Sequence, residues 1–255
     1  MFRRIRCLFK LILLLKLIGI AFSLAVALAV GLRLRAQYRV WGLVEGAATR
    51  HLPGDELVEP AGASETRGLE IDAPPSAVWP WLLQLGYGRG GWYGFGALDR
   101  AWSPAGGGAP GRSADSIIAE FQELAEGDLG PTHPGGGFVV RELQPAAALV
   151  LYLDAAMMRE QMEELAAEAT SEASRAMRDM DMPPFAVSWA FVLEPLPGGR
   201  TRLIERLRFR IDDLSAAQRR ALPMLSLGVF ALMRSQLEGI RRRVERAAWA
   251  ASRGG

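Results

Sequence analysis

Cysteine is almost missing from this chain. Cys7 is the single one among 255 residues, so no internal disulfide can form and cysteine usage says nothing of the redox compartment. Histidine is nearly as scarce: His51 and His133 both lie in Pro/Gly-rich stretches, without clustered acids or cysteines at ligand spacing. They read as surface residues, and no metal centre is expected. Neither accompanies a G-x-S-x-G nucleophile elbow, which argues against a Ser-His-Asp hydrolase. Gly86, Gly88 and Gly91 do satisfy G-x-G-x-x-G, but the pattern follows a predicted helix instead of a strand and no crossover unit surrounds it. Dinucleotide binding needs that context, so no cofactor is expected.

An excess of charge of one sign is also lacking once the chain is divided. The net charge is +2 and the calculated pI about 9.0. Residues 1–50 hold nine Lys/Arg against Glu45 alone, which leaves 21 basic and 27 acidic residues from His51 onward. The basic footprint that nucleic-acid binding requires is therefore absent from the main body, and no nucleic acid is expected as partner. With 50% hydrophobic residues, the length suits one full-sized domain plus an anchor.

The anchor is the stretch from Leu11 to Leu32, which is interrupted by one charge, Lys16. As a helix it would cover about 33 Å, enough to cross a bilayer, and Lys16 sits near enough to one end to reach the headgroups. A cleavable signal peptide is the rival, given Arg3, Arg4 and Arg6 at the start and the small residues Ala25, Ala27 and Ala29. The length of the apolar run and the closely following Arg33, Arg35 and Arg39 favour retention. Residues 1–35 are thus expected as a basic N-terminus and single transmembrane helix. The flanking charges lean toward an inside N-terminus and a domain outside the cytoplasm. Residues 36–65 read as a linker, with a short helix around Val40 to Ala48 and a loop carrying Pro53, Gly54, Pro60 and Gly62, a tether that can pack on the domain.

Beyond the linker, Gly68 to Asp72 suits a short strand, and Pro74-Pro75 stops it. Ser76 then serves as a candidate cap for a helix over roughly Ala77 to Leu85, whose Val78, Trp81, Leu82 and Leu85 share one apolar face. The loop after Gly86 carries Tyr87, Trp92, Tyr93 and Phe95 among further glycines, so large flat side chains cover something apolar. Pro104 to Gly111 reads as a surface loop, and Asp115 as the cap of a short helix ended by Gly127-Asp128. Phe138–Leu143 and Ala148–Leu153 read as strands joined at Pro145, and Val187–Glu194 with Thr201–Ile211 as a hairpin across Pro197-Gly198-Gly199. Ser215 starts a long terminal helix with Leu225, Val229, Leu232, Leu237, Ile240 and Val244 along one side. Between these parts, residues 154–182 form a helical segment with Met158, Met162, Leu165, Ala169, Ala173, Ala176, Met177 and Met180 in a stripe and Asp154 at its start. Such a stripe is either an amphipathic helix lying on the sheet or an adaptable methionine-lined lid.

The block APPSAVWPWLLQLGYGRGGWYGFGALDR, from Ala73 to Arg100, resembles the opening of the START-like superfamily known as SRPBCC, or polyketide cyclase/dehydrase-like. Four further strings support the resemblance in order: LPGDEL from Leu52, SADSIIAEFQELAEGD from Ser113, SWAFVLEPLPGGRTRL from Ser188 and FALMRSQLEGIRRRVERA from Phe230. Together they span roughly residues 41–250. The resemblance implies an α+β helix-grip fold of START/Bet v 1 type: a curved antiparallel sheet wrapped around a long C-terminal helix, with a cavity between. The domain so implied covers residues 66–250, with 154–182 as an insertion relative to the family.

Candidate site residues follow from strand alternation. Leu203, Glu205, Leu207 and Phe209 share one face of their strand, and Arg202, Arg206, Arg208 and Arg210 share the other with Ile204. The arginine face is expected to be wet, which turns Glu205 toward the interior, where a carboxyl group needs a partner or a task. An ion pair with an arginine such as Arg234, recognition of a ligand's polar head, and general acid/base work are the three roles open to it. Trp92, Tyr93, Tyr152, Trp189, Phe191 and Leu207 complete the candidate ligand-binding set. The sequence thus reads as a membrane-tethered domain binding a hydrophobic or amphipathic, lipid-like molecule. A cyclase or dehydratase-like enzyme using Glu205 with Tyr93 or Tyr152 is the first alternative, and a membrane-bound interaction protein with a filled cavity is the second.

Overall fold

Two glycines with positive φ, Gly198 at 80° and Gly199 at 70°, turn the chain between two strands of 12 residues each. These are β5, Phe185–Leu196, and β6, Arg200–Ile211, the hairpin expected from the Pro-Gly-Gly signal. In a computed structural model of the chain, residues 40–44, 46–94, 113–133, 136–168 and 182–254 are described. The other strands are β1, Ala63–Ile71; β2, Leu129–His133; β3, Gly136–Gln144; and β4, Ala148–Asp154. The helices are α1, Pro75–Leu83; α2, Ala155–Glu168; and α3, Ala216–Gly254. The six strands among the described residues form one antiparallel sheet in the order β1-β6-β5-β4-β3-β2. The class is α+β.

The two faces of the sheet differ sharply. The inner face contributes Leu69, Ile71, Leu149, Leu151, Phe191, Leu193 and Leu203 to a core shared with Val78, Trp81 and Leu82 of α1 and Leu237, Ile240 and Val244 of α3. The last three recur at three- and four-residue spacing, which gives α3 a stripe to lay on the sheet over part of its 39 residues. Gly239 on α3 is a point of closest approach: a Cβ there would lie 1.7 Å from the Tyr93 carbonyl oxygen. Ser215 caps α3 reciprocally with Gln218, each side chain accepting from the other's backbone N–H at 3.2 and 2.8 Å.

The outer face is covered by residues 40–44 and 46–62. Trp41 accepts a backbone bond from Gly68, and Gly42 approaches the Gly68 carbonyl so closely that only a glycine fits. Arg206 is 2% exposed. Its guanidinium donates to Asp55 at 2.6 Å, to Thr66 at 2.9 Å and to the carbonyls of Ala48 and Arg50. The arginine face is therefore not wet at its middle, because the covering segment brings a carboxylate and several carbonyl groups onto it. This stretch packs on the sheet and, in its described residues, makes turns instead of the short helix expected over Val40 to Ala48.

Several boundaries shift as well. Pro74 occupies the N-cap of α1 and no side chain caps it. Pro75, with its preset φ and no N–H to satisfy, opens the helix one residue before Ser76, which leaves Ser76 inside the first turn. From Asp115 onward the chain makes only a three-residue 3-10 turn, Ala119–Phe121. Leu129–His133 pairs with β3 and carries a register shift between Pro131 and His133. Asp154 caps α2 as expected, accepting from the N–H groups of Ala156 and Met157 at 2.9 Å. The expected transmembrane helix, Phe95, Pro104 to Gly111 and the second half of the methionine stripe lie outside the described residues. Among the described residues no helix is long and apolar enough to cross a membrane.

Candidate functional site

Pairing of the strands brings most of the candidate residues together. Phe191 on β5 faces Glu205 on β6, Trp189 faces Leu207, and Leu149 and Leu151 of β4 face Phe191 and Trp189 in turn. These residues lie on the inner face. Trp189 is the hub of a ring cluster: its centroid lies 5.9 Å from Trp92, stacked, 5.6 Å from Phe138 and 5.1 Å from Phe191. Aromatic pairs at such spacing add about 0.5–1.5 kcal/mol each beyond their burial.

Glu205 sits beside this cluster and is fully buried. Its Oε1 accepts the indole N–H of Trp189 at 2.9 Å, whereas Oε2 has no hydrogen-bond partner among the described residues. Burial pushes the carboxyl up to about 8, against the opposing pull of the Trp189 bond and of Arg67. The ion pair with Arg234 is not made. Arg234 bonds Glu238 one turn along α3 at 2.9 Å and stacks over Trp41.

Two charged residues near Glu205 were missed from the sequence. Arg67 is the register partner of Glu205 and is fully buried. It binds Glu65 Oε2 at 2.6 Å, contacts Met233 Sδ and lies over the Phe230 ring, while Ser226 donates to Glu65 Oε1 at 2.5 Å. A strand read as starting at Gly68 excluded both. Extending the alternation Glu65, Arg67, Leu69, Ile71 back by two steps would have put an ion pair on the apolar face.

Tyr93 and Tyr152 do not converge on Glu205. Tyr93 is buried with φ at 60°, and its hydroxyl donates to the Trp81 carbonyl at 3.0 Å. Its ring meets Trp81 edge-on, and Arg243 of α3 lies 5.1 Å above it. Tyr93 thereby ties the aromatic loop to α1 and α3, and burial drives its hydroxyl well above the ordinary range. Tyr152 pairs in register with Ser188, one step out of phase with Trp189, and so belongs to the outer face. There its hydroxyl bonds Asp154 and its ring lies under Arg141. Among the described residues no cluster of His, Cys, Asp and Glu could hold a metal ion.

No family model matches the chain, and no curated protein matches it. It is similar to a solved protein from Chromobacterium violaceum at 13% identity, covering 71% of this chain and 96% of that one, with a TM-score of 0.34. A protein from Arthrobacter aurescens is 16% identical over 78% and 93% of the two chains, with a TM-score of 0.36. A hypothetical protein from Helicobacter pylori is 11% identical over 77% and 97%, with a TM-score of 0.38. Similarity at this level says nothing about what the chain does.

Proposed function

We propose that the chain is a membrane-tethered helix-grip domain of the START-like SRPBCC superfamily. It binds a hydrophobic or amphipathic, lipid-like small molecule between the inner face of the sheet and α3. The observation that carries this reading is Glu205, a fully buried carboxyl with one oxygen unpartnered among the described residues, beside a cluster of rings. Leaving a buried polar group without a partner costs about 1–3 kcal/mol, and a ligand's polar head offsets that cost. Trp92, Phe138, Trp189, Phe191 and Leu207 supply the apolar surroundings that the body of such a ligand needs. The ordered strings between residues 41 and 250 that resemble the superfamily point the same way. The apolar stretch 11–32 would hold the domain at the membrane, on the side away from the cytoplasm, next to a source of apolar ligand.

Native mass spectrometry of the full chain, released from its own membranes, tests the proposal. The expected result is one small molecule retained at near one-to-one stoichiometry and identifiable by extraction. A chain that is empty and also takes up no hydrophobic dye overturns it in favour of an interaction protein with a filled interior.

A further inference from the structure

Trp189 has one hydrogen to give and no lone pair to offer, so its bond to Glu205 decides which carboxyl oxygen is the acceptor. That oxygen is Oε1, at 2.9 Å. Oε2, buried and without a partner among the described residues, is left to carry the proton whenever the carboxyl is neutral. The charged groups on the elements packed about it are already committed. On β1, Arg67 holds Glu65. On α3, Arg234 holds Glu238, and Arg243 bonds the Ala114 carbonyl and covers Tyr93. The inner-face residues of β4 and β5 next to Glu205, namely Leu149, Leu151, Trp189 and Phe191, bring no charge. From α1 the buried residues are Val78, Trp81, Leu82 and Leu83. Burial favours the neutral acid up to about pH 8.

We propose, resting on the ligand-binding reading above, that Glu205 acts as a hydrogen-bond donor. Its protonated Oε2 recognises the oxygen of an uncharged carbonyl or ether group on an otherwise apolar ligand. A hydrocarbon offers no acceptor to this donor. An alkylammonium ion offers only further donors, and it would have to surrender its hydration beside a carboxylate, Glu65, that Arg67 already holds.

Glutamine separates this role from that of an anion, because its carbonyl can still accept from Trp189 while its amide N–H₂ donates in place of the acid. The full chain in phosphatidylcholine nanodiscs would be titrated with 2-undecanone, undecane and undecylamine, following tryptophan fluorescence. Wild type, Glu205→Gln and Glu205→Leu would be compared, with nanodiscs lacking the chain correcting for partition into lipid. At about pH 6, wild type and Glu205→Gln should hold the ketone roughly tenfold more tightly than the hydrocarbon, and Glu205→Leu should not discriminate. Near pH 10, about two units above the carboxyl's own titration, wild type should lose the preference and Glu205→Gln should keep it. Tightest binding of the amine by wild type, lost in Glu205→Gln, overturns the donor role and leaves the ligand-binding reading standing. An unchanged ketone preference in Glu205→Leu does the same. Uptake of no probe by any of the three proteins overturns both.

Discussion

Trp189 reaches diagonally across the β5–β6 ladder to Glu205, donating its indole N–H at 2.9 Å to a residue whose direct register partner is Phe191. Cross-strand diagonals lie within range of long aromatic side chains, and this one provides the only hydrogen bond that the carboxyl makes among the described residues. It places a polar contact on a face otherwise given over to packing. Stability, proton binding and ligand selection therefore meet at one pair of side chains.

The pH dependence of stability follows directly. The folded state holds the Glu205 proton up to about pH 8, whereas the unfolded chain releases it near 4.5. Between these values the native state binds more protons than the unfolded one, so stability falls as pH rises, by at most about 1.4 kcal/mol per unit from this group. Thermal melts of the full chain from about pH 5 to 9 should show Tm declining and then levelling above the folded pKa. Glu205→Gln should remove this part of the slope; an unchanged slope in that variant would count against a buried neutral acid.

Trp189→Phe keeps a ring in the cluster and deletes the donor. Without the indole N–H the carboxylate loses its bond, so the Glu205 pKa should move further up, and the decline in Tm should extend to higher pH. The expected loss is about 1–3 kcal/mol at neutral pH, read from chemical denaturation. An identical pH profile would show that the bond contributes nothing to the ionisation of Glu205.

Asp55→Ala probes the covering of the outer face. It strips Arg206 of its carboxylate while the guanidinium remains buried, a change that costs about 3–5 kcal/mol for an ion pair of this kind. Hydrogen exchange should then report faster opening of residues 46–58. Loss confined to that segment, with the inner core still protected, is the expected pattern.

Gly239→Ala should destabilise, although alanine is the better helix former. Its methyl group would meet the Tyr93 carbonyl oxygen at 1.7 Å, and relieving that overlap moves either α3 or the aromatic loop. Overpacking of this sort costs about 1–3 kcal/mol, measurable as a lowered Tm. A neutral or stabilising effect would mean that loop and helix part easily.

The elements legible in the sequence are those with strong local signals: the Pro-Gly-Gly hairpin, the Asp154 and Ser215 caps, the Leu237, Ile240 and Val244 part of the α3 stripe and the inward face of Glu205. What escaped was set by residues distant in the chain. Nothing near Arg206 in sequence announces that Asp55 and the carbonyls of Ala48 and Arg50 cover it. The short strand around Pro131 had no alternating pattern to reveal it, and Tyr152 fell on the outer face because the bonding phase of β4 against β5 is decided by the ladder. Gly239 stands as a lone glycine in a helical run, which is a signal of close packing.

The Pro131 register shift bears on how copies of this chain meet one another. Among the described residues β2 is the last strand of the open sheet, and open sheets are prone to growing by strand addition. Here the terminal strand is five residues long, lacks one N–H at its proline, and has that proline's carbonyl taken by the Tyr87 N–H at 2.8 Å. A foreign strand arriving at this margin finds a donor missing and an acceptor occupied, so the β2 side of the sheet is built to remain its end.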